Sequence, residues 1–148
     1  MVSIKDFREI NASQDRVWGV VSDVEKDVEY WTALSSIRNI RKEGNMIERE
    51  VVVRFMGNKS TQRITLNPMD SIQLEMISGP LRGSREIKLS RLGTKRTRIE
   101  VSWDIQFAEI PVFAQGFVRA RIEESTKEAL AKIAGAAEGR RRATSRHS

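Results

Sequence analysis

Between residues 36 and 107 the hydrophobic period of this chain is two, and after Pro111 it changes once, to that of a helix. The alternation is cleanest over 97–107. Ile99, Val101, Trp103, Ile105 and Phe107 share one face there, against Arg98, Glu100, Ser102, Asp104 and Gln106. It recurs over 46–56, where Ile47, Arg49, Val51, Val53 and Phe55 oppose Glu48, Glu50, Val52, Arg54 and Met56. Shorter runs follow the same rule: Gln62, Ile64 and Leu66; Ile72, Leu74 and Met76; Arg85, Ile87 and Leu89. A weaker strand is read over 36–44. Turn residues separate the runs at Gly44-Asn45, Gly57-Asn58, Asn67-Pro68, Ser78-Gly79-Pro80 and "LGTK" at 92–95. Strands joined by such short turns pair antiparallel with their neighbours. One face of the resulting sheet is apolar and needs a cover.

The cover follows at once. Pro111 suits a helix start, and Val118, Ile122, Thr126, Ala129, Ile133 and Ala137 recur at helical spacing. This predicts one long helix over about 112–137, ended by Gly139, with Phe113 and Phe117 prolonging its apolar surface. At the other end of the chain, residues 2–10 alternate well enough for a strand. Asn11 or Ser13 can cap a short helix, with Asp15 in its first turn and Val17, Val20 and Val21 on one side. Val24, Val28 and Trp31 predict a second short helix. Trp18, Tyr30 and Trp31 concentrate three of the chain's nine aromatic residues here. A single long helix leaves part of a twisted, concave sheet uncovered. The two short helices are expected to close one end of that gap, and the rings either wall a cavity or fill a core.

Composition narrows the function classes. A chain of 148 residues suits one domain, assigned to residues 1–138, with a basic and disordered tail at 139–148. The net charge is +6, but the last ten residues hold four arginines and no acid. Without them 22 basic groups face 20 acidic ones, so the body does not have the basic face of a dedicated nucleic-acid binder. There are no cysteines, hence no thiolate chemistry. Charges occupy the first ten residues where a secretion signal would be apolar, and no run is long enough to span a bilayer. A cytoplasmic protein is expected.

Chemistry is sparse. The single histidine, His147, lies in the tail, and no phosphate loop, nucleophile elbow or zinc motif is present. The acids mostly fall on polar phases. No catalytic residue, metal site or cofactor is assigned. Three polar residues point inward by their phase: Arg49, Arg85 and Gln62. A buried charge needs a partner. Either these groups present donors to a ligand, or they lie near strand ends and snorkel outward, or a bulge shifts the phase.

Three stretches, "INASQDRVWGVVSDVEKDVEYW", "SGPLRGSREIKL" and "GTKRTRIEVSWDIQF", resemble in order and spacing the START, birch-pollen-allergen and polyketide cyclase/dehydrase superfamily. Its coenzyme Q-binding and cyclase/dehydrase-like branch is most similar. The resemblance implies an α+β helix-grip fold: a curved antiparallel sheet of about six or seven strands, two short helices after the first strand, and one long C-terminal helix enclosing a hydrophobic cavity. It also implies a hydrophobic small-molecule ligand, such as a lipid, an isoprenoid quinone or a polyketide-like ring system. The candidate ligand contacts are Trp18, Tyr30, Trp31, Arg49, Val53, Phe55, Leu74, Met76, Trp103, Phe107, Phe113 and Phe117. Two other readings stay open. One is a cyclase- or dehydrase-type enzyme holding a polyketone with Arg49 and Tyr30. The other is a ribosome- or RNA-associated module. Its tail residues Arg140, Arg141, Arg142 and Arg146 are also candidates for weak contact with anionic membranes.

Overall fold

The computed structural model describes residues 2–54, 57 and 59–139. Phe55, Arg140, Arg141, Arg142 and Arg146 lie outside them, and with them the contacts expected there. Seven strands form one antiparallel sheet: β1 (Val2–Ile10), β2 (Leu34–Glu43), β3 (Met46–Val53), β4 (Lys59–Asn67), β5 (Ser71–Met76), β6 (Leu81–Gly93) and β7 (Arg96–Phe107). Their order is β1-β7-β6-β5-β4-β3-β2. The meander read from the sequence therefore runs unbroken from β2 to β7, and β1 closes the far edge against β7. Helix α1 (Gln14–Val21) follows β1, and α3 (Val112–Glu138) crosses the apolar face. This is the α+β helix-grip architecture that the resemblance implied.

Local chemistry sets the element ends. The Ser13 hydroxyl accepts the Arg16 backbone N–H at the start of α1, satisfying one of the orphan donors there. Gly139 ends α3 in the left-handed conformation at φ 77°, where glycine escapes the Cβ penalty. Inward residues of the strands fill the core: Val51, Ile64, Ile99, Val101 and Ile105 are wholly buried. From α3, Val118, Ile122, Ala129, Leu130, Ile133 and Ala134 meet them.

Two sequence expectations change. The second short helix is a single 3-10 turn (Val24–Lys26) followed by the four-residue α2 (Asp27–Tyr30). Trp31 leaves helical dihedrals at φ −93°, ψ 84°, because the chain must turn directly into β2. Phe113 and Phe117 do not prolong the apolar underside of α3; they are 90% and 62% exposed. At about 100° per residue, both sit across the helix from the arc through Val118, Ile122 and Ala129. Removing their rings therefore creates no cavity. The double variant Phe113→Ser/Phe117→Ser should keep its unfolding free energy within about 0.5 kcal/mol, as checked by urea denaturation.

Candidate functional site

Beneath α3, toward the end of the sheet where β3 and β5 stop and β6 begins, lies a cavity of about 70 Å³, taken as the space open to the centre of a water molecule. That is more than the minimum needed to admit a water. Its apolar wall includes Trp31, Leu34, Val53, Met76, Leu81, Trp103 and Ile122, and its polar groups belong to Arg49, Gln62, Arg85 and Ser125. A wider depression of about 430 Å³ lies on the opposite, outer face, among Arg63, Gln73, Glu75 and Asp104. It is polar ground of the kind water covers.

The sequence candidates separate on this map. Trp31, Arg49, Val53, Met76 and Trp103 meet at the cavity, together with the inward-phased Gln62 and Arg85. Tyr30 and Leu74 are buried core residues away from the lining, and Trp18 and Phe107 pack half-buried against that core. Phe113 and Phe117 are on the outer surface.

Arg49 is wholly buried and Arg85 is 3% exposed, so neither snorkels. Arg49 lies mid-strand in β3, in regular register with Gln62 on β4. Its Nε donates to Gln62 Oε1 at 3.0 Å and its Nη1 to the Val24 carbonyl at 3.1 Å. Its Nη2 lies 3.0 Å from Asp27 Oδ2, a contact between charges rather than an aligned hydrogen bond. Burial pushes the Asp27 carboxyl up, while Arg49 and Arg85 pull it back toward the ionised form. Burial also lowers Arg49, against the pull of Asp27.

Asp27 is the site residue that the sequence reading passed over, having placed the acids of this segment on a solvated face. Val24, Asp27 and Trp31 are spaced i, i+3, i+7 and are all buried. That spacing, with the inward phase of Arg49, was the available signal.

Arg85 has no carboxylate within ion-pair distance among the described residues, and its Nε has no hydrogen-bond partner. The guanidinium carbon sits 4.4 Å from the Trp31 ring centroid and 5.5 Å from that of Trp103. Ring faces attract a cation, each by about 0.5–2 kcal/mol. Burial still pushes Arg85 down to about 10, so it remains charged at neutral pH. The rings are fixed in turn. Trp31 and Trp103 meet edge to face at 6.0 Å. Trp103 Nε1 donates to Thr126 Oγ1 at 3.0 Å, and that hydroxyl donates to the Ile122 carbonyl at 2.8 Å. The site is a small apolar chamber with two guanidiniums at its wall and one carboxylate, Asp27, behind Arg49. Among the described residues no three His, Cys, Asp or Glu side chains converge to hold a metal, and no helix is long and apolar enough to cross a membrane.

A family model described as polyketide cyclase/dehydrase and lipid transport matches residues 1–138. No curated sequence is measurably similar. Among solved structures, the Zhui aromatase/cyclase from Streptomyces sp. R1128 superposes with a TM-score of 0.84 at 18% identity, over 97% of each chain. A Thermus thermophilus protein superposes at 0.78 with 18% identity, over 92% of this chain and 97% of that one. A START superfamily protein from Mycobacterium smegmatis superposes at 0.64 with 17% identity, over 93% and 95%. At these identities the likeness is one of fold.

Proposed function

The chain belongs to the polyketide cyclase/dehydrase and lipid transport family, and from that membership we propose that it binds and carries a hydrophobic small molecule between the sheet and α3. The observation that carries this reading is the chamber itself: an apolar wall of two tryptophans and aliphatic side chains with a few fixed polar groups. Such a composition gives affinity through burial and orientation through the polar minority. Each 100 Å² or so of apolar ligand surface moved out of water contributes about 2.5 kcal/mol. The cavity takes one end of a lipid, quinone or polyketide, so a longer ligand requires the wall to open. The turn at 78–80 is pinned, with Ser78 Oγ accepting from the Thr61 N–H and Pro80 O from the Ala108 N–H. Segment 24–33 is tied as firmly, by Val24 and Asp27 to Arg49 and by Thr32 and Ala33 to Arg54, so opening requires one of the two to yield.

The test is binding of fatty acids and short isoprenoid quinones to wild type and to Trp103→Ala. Loss of binding in a folded Trp103→Ala protein is expected. Unchanged affinity in that variant contradicts the reading.

A cyclase- or dehydrase-type activity is the second reading, favoured by one feature: two guanidiniums, Arg49 and Arg85, line the cavity, a positive charge of the kind that stabilises an enolate oxygen. No histidine or carboxylate lines the cavity, which leaves proton transfer without an evident agent and ranks this reading behind carriage. Turnover of a poly-β-ketone that disappears in Arg49→Ala while binding persists would reverse the order.

A further inference from the structure

Counting charge around the cavity gives two buried guanidiniums, Arg49 and Arg85, against one buried carboxylate, Asp27. Arg49 is closely partnered, by Asp27, Gln62 and the Val24 carbonyl. Arg85 holds the surplus charge. It is held by two ring faces, which attract a cation but accept no hydrogen bond in the guanidinium plane. Its Nε is buried without a partner, on a side chain that lines the cavity. A planar donor array kept free in this way matches an oxygen anion in geometry as well as charge.

We infer that the cavity selects ligands carrying one oxyanion, such as a carboxylate, on an apolar body, with the anion seated on Arg85 and the body against Trp31 and Trp103. This rests on the reading of the cavity as a ligand site and adds to it a choice among ligands: of two molecules equal in apolar surface, the monoanion is held and the neutral one is not. The single surplus charge also sets the stoichiometry at one anionic group. A second would face no free cation among the lining residues.

A charge series on one ring system tests this. 2-Naphthoate, 2-naphthylmethanol and 2-naphthylmethylammonium have similar shapes and charges of −1, 0 and +1. Their affinities for the full chain would be measured by calorimetry at neutral pH. The naphthoate should bind at least about tenfold tighter than the alcohol, as a charge-assisted bond exceeds a neutral one, and the ammonium should not bind. Arg85→Met should remove the difference between naphthoate and alcohol, whereas Arg85→Lys should keep the order. Arg85→Met leaves Asp27 and Arg49 matched, so it is expected to fold; if it does not, the wild-type series and Arg85→Lys still decide. Equal affinities for the three compounds overturn the charge selection while leaving the cavity a binding site. A naphthoate preference that survives Arg85→Met overturns the assignment to Arg85. No binding by any member overturns the selection and the cavity reading together.

Discussion

Asp27→Asn is expected to destabilise the folded protein by about 3–5 kcal/mol, the scale for removing one partner of a buried ion pair. The change keeps the volume of the side chain, removes its charge and turns one acceptor oxygen into a donor. Arg49 then loses the anion 3.0 Å from its Nη2, and Arg85 loses the carboxylate that offsets its charge from farther away. Two buried cations that repel each other then remain. Adding Arg85→Met removes one of them and fills its space with an apolar chain, so the double variant should regain much of the loss. The two changes are therefore strongly non-additive. Chemical denaturation of wild type, both single variants and the double variant measures this. A loss below about 1 kcal/mol in Asp27→Asn contradicts the account of the site as a charge triad.

Gly83→Ala should cost more than about 3 kcal/mol or prevent folding. Gly83 has φ 124°, and a Cβ there would lie 2.0 Å from the Asp104 carbonyl oxygen and 3.0 Å from its carbon. The obstacle is the backbone of β7, which cannot move without breaking the ladder that β6 makes with it. Gly79 offers a useful contrast. It has φ 110°, but a Cβ there meets first the Ser60 hydroxyl, at 2.3 Å, and a side-chain hydroxyl can rotate away. Gly79→Ala should therefore be the milder change. Thermal unfolding of the two variants side by side checks the ranking, and equal losses would contradict it.

How much of this was legible in the residues depends on which force wrote them. A strand exposed on one face has no choice but to alternate, so 97–107 reads as β7, and the same alternation at 46–56 and 85–89 shows Arg49 and Arg85 pointing inward. The long helix is legible for the same reason, since Val118 to Ala137 must face the sheet. Hydrophobicity misleads where an apolar residue sits off the buried arc. Phe113 and Phe117 are apolar and helical, yet they lie opposite that arc and are exposed. It also fails where a single residue breaks the polar/apolar code. Asp27 occupies a core position of its segment because a buried guanidinium compensates it, and composition alone sorts an acid to the surface. The concentration of rings near the N-terminus had a mixed outcome: Trp31 reaches the cavity, while Trp18 and Tyr30 pack against the core. Whether an aromatic side chain fills a core or faces a chamber is set by differences of a few ångströms in three dimensions, which spacing along the chain does not encode.

The central claim is that the chamber under α3 holds a hydrophobic small molecule. Native mass spectrometry of the freshly purified protein, with organic extraction of what it carries, tests that claim most directly. The account predicts a discrete adduct of a few hundred daltons, or one formed on adding fatty acids or quinones, that is absent from folded Trp103→Ala. A bare protein mass that persists through those additions, in wild type and variant alike, would contradict it.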